Sequence, residues 1–261
     1  MPPVVHALVA RMAELLETLE EARDPGRFFL GTYLRTTRAV GGALAADAFE
    51  DPAWVARWDV DFAGLYLDAL EAHRRDPSAV AEPWRLAFGA DPALPPEAHV
   101  LLGMNAHINF DLPQSLIRVI PPEDFAVAEL LALRRRDHHR IDAVLAGRVG
   151  EEDVALVRAG GRRTVLDRLL APVNRSASRV FLRESRRKVW ANTGALHEAR
   201  LRGPAAYAAR LADLEAAGGA RVRDLLRPGP VLIRLAVRGF GVTLEQAGTD
   251  PGRAPAGPTA G

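Results

Sequence analysis

Between Leu101 and Leu116 the chain reads LLGMNAHINFDLPQSL, an apolar run that carries Asn105, His107, Asn109 and Asp111. On a helix, residues four apart lie one above another. Val100, Met104, His107, Ile108 and Asp111 then share a stripe, core-like in its upper half and a His–Asp pair in its lower half. An ionised carboxylate inside a low-dielectric core is costly unless it is paired or bound to a cation. Two readings satisfy that requirement. In one, His107 and Asp111 bond each other and cap an internal helix end. In the other they are a functional site. Pro113 follows closely and is expected to interrupt the helix, leaving carbonyls near Asn109 to face a ligand.

A second His-x-x-x-Asp pair, His138 and Asp142, lies on another apolar stripe. Imidazole and carboxylate together suit Zn²⁺, Mn²⁺ or Fe²⁺, and helical bundles build such sites from facing helices. The expected ligand set is His107, Asp111, His138 and Asp142, joined by Asp61 and Glu184. The plainer alternative for Glu184 is a surface ion pair with Lys188, four residues on. A bound divalent metal would acidify a water or polarise an oxygen, so the leading expectation is metal-assisted hydrolysis of a small molecule or phosphoester. The second needs no metal. His107 is a general base oriented by Asp111, with Asn105, Asn109 and Tyr33 as hydrogen-bond donors and Tyr33, Trp58, Phe62, Tyr66 and Trp190 lining an apolar pocket. That site would isomerise, cyclise or simply bind a small molecule of specialised metabolism. The third is a non-catalytic scaffold whose buried polar groups only fix helix register.

Composition narrows the field. The chain has 261 residues, is 48% hydrophobic and carries a formal charge of +1, so there is no electrostatic case for nucleic acid. It has no cysteine, which excludes disulfides, thiolate catalysis and thiolate–metal sites. Lys188 is the sole lysine among many arginines, a bias expected of a high-GC bacterial genome. The first residues acquire acidic groups early and lack the layout of a signal peptide. No apolar run reaches transmembrane length. A cytoplasmic protein is expected, with a small-molecule ligand, no membrane contact and no oligomeric state fixed by the pattern.

The elements that must position these groups read as helices. Val5, Leu8, Val9, Met12, Leu15, Leu16 and Leu19 form one face of a first helix, ended by Asp24-Pro25-Gly26. Phe29, Tyr33, Val40 and Leu44 mark a second. Asp51-Pro52 is an N-cap followed by a first-turn proline, and the third helix runs from there to about His73. On it Asp59 and Asp61 point about 200° apart, and Asp61 is the one expected inside. A proline-rich stretch follows with one short helix at Trp84–Phe88, then the central helix, then a long helix from Pro122 with Asp124 as its cap. In that helix His138 is expected inside and His139 outside, and Arg134-Arg135-Arg136 reads as a solvated face or an anion contact. Further helices are expected over Asp153–Ala171, Pro172–Arg200, Gly203–Leu226 and Pro228–Glu245. No period-two alternation, fixed repeat or nucleotide-binding motif is found. The expectation is one all-α multi-helix bundle over residues 1–245, with a buried His/Asp centre and a disordered tail over 246–261.

The runs FFLGTYLRTT, DPAWVARWDVDFAGLYLDAL, LLGMNAHINFDLP, RRRDHHRID and FLRESRRKVWANTGAL together resemble a bacterial family known only as a domain of unknown function, over about residues 27–240. GMNAHINFDLP is the most distinctive part. The resemblance implies an all-helical domain and carries no activity with it.

Overall fold

The computed structural model describes residues 1–146, 174–229 and 239–244. Every regular element among them is helical: α1 (Pro3–Glu21), α2 (Gly26–Ala45), α3 (Pro52–Arg75), α4 (Glu82–Phe88), α5 (Pro96–Ala106), α6 (Leu112–Val119), α7 (Ala128–Ala146), α8 (Asn174–Arg202) and α9 (Pro204–Leu226). A π-helical turn, His107–Asp111, joins α5 to α6. The helices pack as a bundle. The expected helix over Asp153–Ala171 and the tail lie outside the described residues, as do the side chains of Asp142 and Glu184.

Capping follows the sequence where the sequence signals it. Asp51 accepts the Trp54 N–H at 2.9 Å and Pro52 occupies the first turn of α3. The inner face of α3 is two adjoining four-residue ladders, Trp54–Trp58–Tyr66–Leu70 and Val55–Asp59–Ala63–Leu67. Asp59 stands one turn from Val55 and one turn from Ala63, so it faces the core. Asp61, the expected inward group, is half-buried and lies 3.9 Å from Arg118 instead. Asp59 is thus the more deeply placed of the two carboxylates, while Asp61 keeps one oxygen buried and the other toward Arg118.

Two further expectations change. Residues Pro122–Ala126 form a 3-10 turn, and α7 starts only at Ala128, so Asp124 does not cap it. Residues 239–244 do not continue a helix; Gly239 takes φ 71°, a left-handed conformation that glycine adopts without strain.

The core has two adjoining parts. One gathers Phe29, Tyr33, Tyr66, Trp84 and Phe110 with α8, α9 and the 239–244 segment. The other gathers Trp54, Trp58, Leu112, Leu116 and Trp190. The π-turn lies where they meet.

Candidate active site

Pro113 does not end the central helix. The chain passes through a π-turn, in which the Leu112 N–H donates to the His107 carbonyl five residues back, and Pro113 falls in the first turn of α6, where its missing N–H is tolerated. The Gln114 side-chain amide donates to the Phe110 carbonyl at 2.9 Å. The π-turn buries four of its five residues, His107, Asn109, Phe110 and Asp111.

Within it, His107 Nδ1 and Asp111 Oδ2 are 2.8 Å apart, and the Trp84 indole N–H donates to the same oxygen at 2.9 Å. An indole N–H is only ever a donor. With Asp111 ionised, Oδ2 accepts from both groups and His107 donates from Nδ1. That leaves Nε2 with its lone pair, and Nε2 has no hydrogen-bond partner among the described residues. Burial lowers the His107 pKa below the ordinary imidazole value, against the opposing pull of Asp111, and burial raises that of Asp111.

The ring is enclosed by aromatics from α2, α3 and α4. Phe62 stacks on it in parallel at 3.7 Å, Tyr33 meets it edge-on at 4.7 Å, and Phe29, Trp84 and Tyr66 stand at 5.9, 5.9 and 6.0 Å. The Tyr33 and Tyr66 hydroxyls and Asp59 Oδ2 are buried without hydrogen-bond partners. Asp59 and Asp111 both raise the Tyr33 pKa, after burial as the main cause. Burial pushes the Asp59 carboxyl to about 7. The aromatic shell thus encloses the imidazole with the Tyr33 ring edge-on to it, and Asp59 lies near enough to Tyr33 to raise its pKa.

Behind Phe29, Tyr66 and Trp84 lies a cavity of about 60 Å³, also lined by Asp24, His73 and His99. Tyr66 Oη, His73 Nδ1 and His99 Nε2 are buried and without hydrogen-bond partners. Sequence reading missed His73, His99 and Asp24, because no spacing links positions that separate helices bring to one cavity.

The expected site residues divide. His107, Asp111, Tyr33, Phe62 and Tyr66 come together. Trp58 is one ring further out, stacked on Phe62 at 6.2 Å. Asn105 and Asn109 are not donors to the His107 site; both hydrogen-bond the Phe240 carbonyl. Trp190 donates to His138 Nδ1 at 3.0 Å and belongs to that ring's surroundings. His138 is buried and His139 exposed, as their positions on α7 imply. His107 and His138 are linked through Phe62 and Trp58, the Trp58–His138 distance being 5.0 Å. Among the described residues no three His, Asp or Glu side chains are grouped to hold a metal ion. The six-ligand set would also draw on Asp142 and Glu184, whose side chains are not among those described.

The family's sequence profile matches residues 5–228. The chain belongs to DUF5995, a family of unknown function. No curated protein and no solved structure matches it. DUF5995 membership therefore covers the helices that build the His107 site and stops short of the 239–244 segment. No helix among the described residues is long and apolar enough to cross a membrane.

Proposed function

We propose that this DUF5995 protein is an acid–base enzyme acting on a small, largely apolar molecule, with His107 Nε2 as the proton acceptor. The reading rests on one observation: the Trp84 indole and His107 Nδ1 both meet Asp111 Oδ2, an ionised Asp111 would hold the His107 proton on Nδ1, and the remaining ring nitrogen is buried without a partner among the described residues. Asp111 is the orienting group, the role an acid plays beside a catalytic imidazole. Tyr33, whose ring meets the imidazole edge-on, returns the proton. The aromatic lining of the neighbouring cavity, from Phe29, Tyr66, Trp84 and Phe88, favours a flat, apolar substrate body, and Asp24, His73 and His99 meet its polar end. Such a site fits proton transfer without group transfer, as in isomerisation or cyclisation.

The test is the protonation state of the ring. Histidine labelled with ¹⁵N is expected to show His107 as the neutral Nδ1–H tautomer at pH 7, and Asp111→Asn is expected to disturb that preference. Observing the proton on Nε2 at neutral pH would remove the proposed base. Ligand screening by tryptophan fluorescence then supplies candidates for turnover. The expected signature is a compound whose conversion is lost at least about 100-fold in His107→Gln while its binding remains.

A further inference from the structure

Residues 239–244, Gly-Phe-Gly-Val-Thr-Leu, lie against the bundle in an arrangement that resembles a bound peptide more than a packed loop. Two buried asparagines hold its main chain. Asn109 donates from Nδ2 to the Phe240 carbonyl at 3.1 Å and accepts the Val242 N–H on Oδ1 at 3.1 Å. Asn192, on α8, donates to the Val242 carbonyl at 3.0 Å and accepts the Leu244 N–H at 2.9 Å. Each side-chain amide thus stands in for one peptide unit of a neighbouring strand, and the pair repeats at the two-residue step of an extended chain. Asn105 adds a longer bond to the Phe240 carbonyl, and Lys188 Nζ takes the Gly241 carbonyl at 3.1 Å. Phe240, Val242 and Leu244 are buried, while Thr243 between the last two is exposed. Val242 and Leu244 belong to the same apolar cluster as Val222 and Leu225 of α9.

Hydrogen bonds to the main chain carry no side-chain preference, and apolar sites at alternate positions add one. That division of labour is the one used where proteins bind extended peptides. We infer that the groove formed by the π-turn, α8 and α9 is a binding site for an extended peptide with large apolar residues at every second position, and that residues 239–244 are its ligand bound in cis. The site is independent of the chemistry assigned to His107. The asparagines on either side of His107 in sequence hold the peptide, and the imidazole does not.

The probe is a fluorescein-labelled peptide, GFGVTL, titrated by anisotropy. In the full chain carrying Val242→Asp and Leu244→Asp, which remove the cis ligand's apolar anchors, saturable binding is expected at least about 10-fold tighter than to the unaltered chain. The same peptide N-methylated at its valine and leucine nitrogens lacks the two N–H donors that Asn109 and Asn192 accept, and its binding is expected to be lost, as it is when Asn192→Leu is added to the released chain. No saturable binding to a released chain with native helical circular dichroism overturns the inference, and so does equal binding of the methylated peptide. Should the released chain fail to fold, hydrogen exchange of the unaltered protein decides. Val242 and Leu244 amides are expected to exchange at least about 100-fold faster than Leu67 in α3, through local opening. Equal rates would mark the segment as permanent core and overturn the inference.

Discussion

Asp59 is the residue whose placement costs the fold most visibly. Its carboxyl is buried, Oδ2 lacks a hydrogen-bond partner, and burial raises its pKa to about 7. The folded protein therefore retains a proton that the unfolded chain releases near pH 4. Stability is unaffected by this group below the unfolded value, falls as pH rises from about 4 to about 7, and is level above that. Asp59→Asn keeps the shape and removes the titration. It is expected to be more stable than the unaltered protein at pH 8 by roughly 2–4 kcal/mol, from about 1.4 kcal/mol per pH unit, and to match it at pH 4. Urea unfolding at the two pH values checks this. A variant that gains stability and loses the His107-dependent turnover would place Asp59 in the chemistry, since active-site groups are commonly held at such a cost. Trp84→Phe tests the other side of the site. It removes a buried N–H···carboxylate bond while keeping most of the aromatic volume, so a loss of about 1–3 kcal/mol in urea unfolding is expected, together with a less firmly fixed His107 tautomer by ¹⁵N NMR.

At the scale of elements, α5 and α2 approach so closely that only glycine fits between them. A Cβ on Gly103 would lie 2.4 Å from Cγ of Phe29. Phe29 is itself held among Tyr33, Tyr66, Trp84 and His107, with centroids 5.0–5.9 Å away, so its ring has no direction in which to yield. On a free helix Gly→Ala gains about 1 kcal/mol. Here overpacking outweighs that gain, and Gly103→Ala is expected to lower stability by about 1–3 kcal/mol net and to displace the Phe29 wall of the cavity. Thermal unfolding measures the first and tryptophan quenching the second. The π-turn is the companion device. By spending five residues on a turn it carries Pro113 into the start of α6 and keeps the helix continuous. Such turns recur at functional sites.

At the scale of the molecule, one buried carboxylate joins α7 to the distant α2–α3 connection. Asp137 accepts the Glu50 and Asp51 N–H groups at 2.8 Å each and the Arg140 guanidinium at 2.8 Å. Arg134 pairs with Asp51 and lies over Trp54, and Arg136 and Arg140 meet Glu50. Two of the run's three arginines, Arg134 and Arg136, thus make anion contacts within the chain, and Arg135 lies over Trp190. Removing one member of a buried, hydrogen-bonded charge set is far costlier than removing an exposed pair. Asp137→Ala is expected to cost about 3–5 kcal/mol and Glu50→Ala, at the exposed edge, under about 1 kcal/mol, both by urea unfolding. Equal effects would show that the cluster is solvated and that α7 is held by its apolar contacts alone.

The sequence by itself determined the helical class, the His107–Asp111 pair, the caps at Asp51 and Pro52, and the inward face of His138. Each depends on residues within about one turn of one another, where helical geometry fixes who meets whom. Only the tertiary structure decided which carboxylate of α3 entered the core, that Trp84 joins His107 on Asp111 Oδ2, and that Asn105 and Asn109 hold the 239–244 segment while Trp190 serves His138. Those pairings join positions far apart in the chain, and no local period encodes them. Residues 239–244, the described end of the stretch expected to be helical over Pro228–Glu245, depart from that expectation for a related reason, while residues 230–238 lie outside the described residues. Short apolar segments suit helix and extended chain alike, and here the amides of Asn109 and Asn192, offered by helices folded elsewhere, select the extended form.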